Sequence, residues 1–185
     1  MKRTFIAIRI KPEKRLSELI SELKGVFKSE QLKWVEEPNL HLTLHFIGET
    51  TPLQVKAVTD MLRLITETKS AFMLTYKGTG YFGPRNQPRV LFVNIEKSKE
   101  LEQLVKETAE GLADLGLPGN LKLFSPHLTL ARVKTLQNPQ LFCSMVEKYN
   151  DQYLQRAEVA EIVYYESLLQ PAGPVYKPIQ TFKLK

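Results

Sequence analysis

The sequence predicts an α+β protein of two similar lobes set face to face, and three observations point there. Helix-like and strand-like stretches alternate along all 185 residues, with no linker, low-complexity tract or charge block between them. The tetrapeptide His-Leu-Thr-Leu occurs twice, at residues 41–44 and 127–130. A helical stretch of similar length precedes each copy. The economical arrangement is one bilobal, pseudo-symmetric domain over residues 1–185, each lobe supplying one motif strand to a shared cleft.

Arg3 to Ile10 alternates as a strand. Ile6, Ile8 and Ile10 share one face; Arg3, Phe5, Ala7 and Arg9 share the other, a set suited to lining a ligand groove. Pro12 is expected to open a helix, whose core stripe is Leu16, Leu19, Ile20, Leu23 and Phe27. Lys33-Trp34-Val35 leads to a turn at Glu37-Pro38-Asn39, then to the first motif strand, which Gly48 should end. Thr51-Pro52 caps a second amphipathic helix that buries Val55, Val58, Met61, Leu62 and Ile65.

Ala71 to Ile95 is β in pattern. Within it, Gly78-Thr79-Gly80-Tyr81-Phe82-Gly83 has the spacing of a dinucleotide fingerprint. Pro84 and a polar turn follow rather than a helix, so the context is wrong for that function. The turn Arg85-Asn86-Gln87-Pro88-Arg89 is basic and suited to solvent or to a nucleic-acid backbone. Ser98 caps a third helix to about Leu115, with Gly116 and Pro118-Gly119 as its stop. The second motif strand follows Ser125-Pro126. Pro139 to Tyr149 reads as a short helix. Val159–Leu168 and Val175–Leu184 read as closing strands around Gln170-Pro171-Ala172-Gly173-Pro174.

Hydrophobic residues at 43% and charged residues at 25% suit a soluble globular protein. The net charge of +6 is uneven: to residue 92 there are fifteen Lys and Arg against nine Asp and Glu, and beyond it the two balance. A basic side suits an anionic ligand such as a phosphate or short nucleic acid. A single cysteine, Cys143, excludes an internal disulfide and a cysteine-based metal site, and its apolar neighbours suggest packing. No stretch reaches the length of a membrane span. The early apolar run breaks at Arg9, unlike a signal peptide. A cytoplasmic monomer is expected.

In each motif the leucines fall on one strand face and the histidine and threonine on the other. Two such strands facing one another make a site of two imidazoles and two hydroxyls. His41 and His45 stand roughly 13 Å apart along a strand, too far to share one ion, and neither motif contains a carboxylate. A metal is therefore not expected, nor any other cofactor. No serine has a nucleophile-elbow context, and no carboxylate obviously orients either histidine. General acid–base chemistry fits best: imidazole titrates near neutrality, so two can hold opposite protonation states. A phosphodiester cleaved in line needs one group to deprotonate the attacker and one to protonate the departing oxygen. Thr43 and Thr129 can donate to the non-bridging oxygens, and Arg132 can add charge. Strict alternation points Arg132 away from the cleft, so a bulge, a strand end or its long reach must bring it back. The same alternation gives His45 the cleft-side parity of His41.

The paired motifs, with Arg3-Thr4-Phe5-Ile6-Ala7-Ile8, Trp34-Val35, His41 to Glu49, Pro126 to Arg132 and Gly173-Pro174-Val175-Tyr176, resemble the two-histidine phosphoesterases. Within them the chain is most similar to the bacterial and archaeal RNA 2′,3′-cyclic phosphodiesterases, once called 2′-5′ RNA ligases. The resemblance implies two antiparallel sheets facing a central cleft, with helices on the outer faces. It implies metal-free hydrolysis of a terminal RNA 2′,3′-cyclic phosphate to a 2′-phosphate. His41 would be proton donor and His127 proton acceptor, with Thr43, Thr129 and Arg132 on the phosphate. Phe5 and Tyr176 are expected to stack on a base. Two other readings stay open: an enzyme for 2′-5′-linked oligonucleotides or cyclic nucleotides, and a non-catalytic RNA- or nucleotide-binding module.

Overall fold

Nine strands and four helices make up the described part of the chain, residues 1–118, 124–170 and 173–185, in the computed structural model. The strands are β1 (Lys2–Arg9), β2 (Gln31–Trp34), β3 (His41–Thr50), β4 (Phe72–Phe82), β5 (Val90–Ile95), β6 (His127–Thr135), β7 (Tyr153–Val159), β8 (Glu161–Gln170) and β9 (Gly173–Lys183). The helices are α1 (Lys14–Val26), α2 (Pro52–Glu67), α3 (Lys99–Asp114) and α4 (Pro139–Lys148). One sheet has the order β3-β1-β8-β9, the other β2-β6-β5-β4-β7. Every pairing is antiparallel. Each motif strand thus belongs to its own sheet, as the repeat predicted.

The helices cross between lobes. α1 precedes β3, yet it packs on β7 of the other sheet; α3 precedes β6, yet it packs on β3. α4 joins α1 on the five-stranded sheet, and α2 joins α3 on the four-stranded one. One apolar core therefore joins all four helices and both sheets, through residues such as Leu16, Val58, Leu104, Phe142, Leu42 and Leu128. A smaller cluster of Phe5, Ala7, Val163 and Tyr165 lies on the other side of β1 and β8, with Tyr176 packed against it. That second cluster is the floor of the cleft.

Local chemistry sets most of the boundaries. Thr51 and Gln54 form a reciprocal capping box at the start of α2. Ser98 and Asn138 accept from backbone N–H groups at the starts of α3 and α4. Gly116, at φ +69°, turns the chain out of α3, and Leu117 N–H bonds back to Leu112 O at 2.9 Å. The expected stop at Gly119 and the turn residues Pro171 and Ala172 lie outside the described residues.

Several expectations shift. Pro12 precedes α1 by two residues; Glu13 is the cap, and its N–H donates to Gln155 Oε1 instead of finding a side-chain cap. Gly48 does not end β3 but sits within it at φ +88°, where the pairing with β1 is irregular. β2 and β7 are strands that periodicity did not reveal. In β7, consecutive Leu154 and Gln155 are both buried, so the pattern has no clean alternation.

The parity of β3 changes at its second leucine. Ile6 of β1 faces His45 and Ala7 faces Thr43, leaving Leu44 as an extra residue. β6 does the same: Leu91 faces Ala131 and Phe92 faces Thr129, leaving Leu130 extra. After each bulge two consecutive residues are buried, Leu44 with His45 and Leu130 with Ala131. His45 is thereby turned away from the cleft, against the parity expected of it. Its Nε2–H donates to Val105 O at 2.9 Å and Thr108 Oγ1 at 2.8 Å, tying β3 to α3. Burial holds its pKa below the ordinary imidazole value.

His45→Ala should cost about 1–3 kcal/mol of stability in urea unfolding while catalytic turnover survives. Because the folded-state pKa of His45 is lowered, the unfolded chain takes up its proton first. Acidification below about pH 6.5 should therefore destabilise the wild type, and this variant should lose part of that dependence.

Candidate active site

The two motif strands present matched faces to one cavity. Leu42, Leu44, Leu128 and Leu130 are buried beneath them, while His41, Thr43, His127 and Thr129 are half-buried on the cleft side. His41 Nδ1 lies 2.6 Å from Asn39 O, and His127 Nδ1 lies 2.7 Å from Ser125 O. A carbonyl only accepts, so each Nδ1 carries a hydrogen in either charge state. Nε2 is left as the nitrogen that can gain or lose a proton, and neither Nε2 bonds a protein group among the described residues.

Aromatic rings hold both imidazoles. Phe5 and Tyr176 flank His41, at centroid distances of 5.2 and 5.1 Å. Phe82 and Phe92 flank His127, at 4.9 and 5.3 Å. The glycine-rich stretch has its use here. A methyl group on Gly80 would stand 2.6 Å from the Phe92 ring, so glycine lets that ring lie against His127.

The cavity, of about 450 Å³, is lined by both histidines, both threonines and Arg132, together with Arg3, Phe46, Phe82 and Tyr176. No aspartate or glutamate is among the lining residues described. Nor do the described residues contain a cluster of His, Cys, Asp or Glu able to hold a metal. Two roomier surface recesses, about 700 and 600 Å³, have no histidine in their walls. Burial is the main cause that lowers the pKa of His41; the positive charge of a protonated His127 adds to it, against the Asn39 carbonyl. The effect of His127 on His41 is the electrostatic mark of two rings sharing a site.

The bulges decide what else reaches the cavity. Past Leu130 and Ala131, Arg132 turns to the cleft, as its expected role requires. At the matching place in β3 stands Phe46, 68% exposed and on the cavity wall, which strict alternation had hidden. Phe5, expected to stack on a base, is only 2% exposed: Tyr165 stacks on it at 5.1 Å and Tyr176 closes an edge. It supports His41 from below. Tyr176 is half-buried, its hydroxyl pKa raised by burial and drawn back by Arg132 and Arg3 nearby. Sequence reasoning missed Phe46, Phe82 and Phe92. The two locking carbonyls leave no side-chain signal at all.

A family model described as LigT-like phosphoesterase matches residues 8–92 and again 93–176. The chain belongs to this family. The double match falls on the two halves that the motif repeat marks out. The chain is 36% identical over 154 residues to an RNA 2′,3′-cyclic phosphodiesterase of Aquifex aeolicus, covering 82% of this chain and 81% of the relative. It is 32% identical over 183 residues to one of Archaeoglobus fulgidus, covering 98% and 99%. Among solved structures, a protein of Thermus thermophilus superposes with a TM-score of 0.81 at 26% identity, covering 98% of this LigT-like chain and 97% of the other. Escherichia coli LigT complexed with 3′-AMP shares the fold at a TM-score of 0.72 and 22% identity, covering 100% and 98%.

In an NMR titration of the unliganded protein, His41 should ionise below its ordinary value of about 6.5. Addition of a nucleoside 2′-monophosphate should move it upward, because a nearby anion favours imidazolium. A value at or above the ordinary one in the free protein would contradict the burial argument. Gly80→Ala should cost about 1–3 kcal/mol by overpacking against Phe92 and should shift the His127 ring resonances.

Proposed function

We propose that this LigT-like phosphoesterase hydrolyses the terminal 2′,3′-cyclic phosphate of RNA to a 2′-phosphate, without a metal, by paired imidazole acid–base chemistry. The observation that carries this reading is the symmetry of the cavity. Two histidines stand on one wall each, their Nδ1 atoms locked by carbonyls two residues upstream and their Nε2 atoms unpartnered among the described residues.

In the proposed reaction His127 Nε2 takes a proton from water as its oxygen attacks phosphorus. The P–O3′ bond opposite breaks, and His41 Nε2–H gives its proton to O3′. The 2′-phosphate remains, and the two imidazoles exchange protons with solvent before the next turnover. Thr43 and Thr129 hydroxyls donate to the non-bridging oxygens, and Arg132 sets its guanidinium against the same charge. In the unliganded protein burial depresses His41, favouring its neutral form. The phosphodiester anion opposes that depression, so the substrate itself helps load the proton that His41 delivers. Each imidazole contributes about 10²- to 10⁴-fold to the rate, or about 3–5 kcal/mol of barrier.

A 3′-terminal nucleoside suits the remaining wall. Phe46 offers an open aromatic face for a base, with Tyr176 bordering the ribose and phosphate. Aromatic and apolar lining around a few convergent donors is what a nucleotide pocket requires. Related proteins bearing the name RNA 2′,3′-cyclic phosphodiesterase support the choice of substrate.

The test is an assay with a short RNA ending in 2′,3′-cyclic phosphate, in chelator, with the product's phosphate position mapped. Turnover to a 2′-phosphate is expected, and His41→Ala and His127→Ala should each lose about 10²- to 10⁴-fold while remaining folded by circular dichroism. Binding without turnover would favour a non-catalytic module. Loss of activity in chelator would overturn the metal-free mechanism.

A further inference from the structure

The lining of the cavity accounts for one phosphate and one base, but a further cation stands next to it. Lys33 of β2 lies directly across from Arg132 of β6. Cross-strand partners project from the same face. Leu32 and Trp34 pack against the core, so alternation puts Lys33 on the opposite face with Arg132; Val35, which also touches the core, lines the cavity at the end of the strand. From there the Lys33 side chain reaches the other lobe: a methyl group built on Gly173 of β9 would meet Lys33 Nζ at 2.8 Å. The ammonium thus stands at the cleft mouth, beside the phosphate-binding arginine and against the strand that carries Tyr176.

Lys33 forms no ion pair among the described residues, so no carboxylate there neutralises its charge. Arg3 and Arg132 both act on the Tyr176 hydroxyl and so belong to one locus. Lys33 lies one strand beyond Arg132, and neighbouring strands are about 4.8 Å apart. Two long side chains fanning from adjacent strands can hold two successive phosphates of one chain. Gly173 opposite, at φ +139°, presents no side chain to the ammonium.

We propose that Lys33 binds the phosphate linking the last two nucleotides of the substrate, making this a site for oligonucleotide ends rather than cyclic mononucleotides. The proposal deepens the hydrolase reading above and rests on it. The linkage phosphate is an ordinary diester that the enzyme grips and leaves intact. RNA therefore enters with its 3′ end against the histidines and its 5′ side leaving past Arg132 and Lys33.

The test compares kcat/KM for a cyclic mononucleotide with that for a dinucleotide ending in the same cyclic phosphate, in wild type, Lys33→Ala and Lys33→Arg. A third substrate carries an uncharged methylphosphonate at the internucleotide linkage. Wild type should favour the natural dinucleotide by about tenfold to a hundredfold, the range of a charge-assisted contact. Lys33→Ala should collapse that ratio through KM, Lys33→Arg should restore most of it, and the methylphosphonate should behave as the mononucleotide does. The salt dependence of kcat/KM for the dinucleotide should also weaken in Lys33→Ala, because one screened charge contact is gone. If wild type turns over both substrates equally, or the ratio survives in Lys33→Ala, the second phosphate site is overturned and the hydrolase reading stands. If wild type turns over neither, both fall together.

Discussion

If β3 and β6 kept strict alternation past their second leucine, His45 and Ala131 would face the cleft, and neither Phe46 nor Arg132 would. One extra residue at the same point in each strand changes this: Leu44 has no counterpart on β1 and Leu130 none on β5, and the next side chains change face. Arg132 comes to the cavity and Ala131 to the core; Phe46 comes to the cavity and His45 to the core. A β-bulge is commonly a device for re-aiming a side chain, and here two equivalent bulges break a symmetric site in a useful way. One lobe offers a guanidinium where the other offers an aromatic face. A nucleotide has that same polarity, with phosphate at one end and base at the other.

The rings need positions as well as faces. Each imidazole is fixed at Nδ1 by the carbonyl two residues before it and on its flanks by two aromatics. Fixing the tautomer by a backbone group leaves Nε2 free whatever the charge state, which a residue acting alternately as acid and base requires. The apolar flanks have a second effect: burial disfavours the charged imidazole relative to the neutral one. Exchange of helices between lobes supports this precision. Because α3 packs on β3 and α1 on β7, neither lobe can shift without disturbing the core of the other.

Much of this was legible in the residues. The two leucine-anchored motif strands, the helices capped at Thr51 and Ser98, and the false dinucleotide fingerprint all read as they stand in the structure. Parity showed that Arg132 needed a bulge, a strand end or a long reach to enter the cleft, and the pairing of β5 with β6 shows that it is a bulge. The matching bulge before His45 was not legible, because a buried histidine and a cleft histidine look alike until a pairing partner is known. β2 and β7 were hidden for a related reason: short or mixed-burial strands take their shape from neighbours, not from their own pattern. Phe5 showed the right face but not the depth, since the sequence cannot show that Tyr165 and Tyr176 close over it.

The most direct measurement is a crystal structure of the protein with a nucleoside 2′-monophosphate bound. The expected result places His127 Nε2 on a phosphate oxygen and His41 Nε2 on the ribose O3′, each about 2.6–3.2 Å away, around a single phosphorus. A nucleotide bound outside the cavity, or one touching only one imidazole with the other beyond reach, would contradict a shared acid–base site.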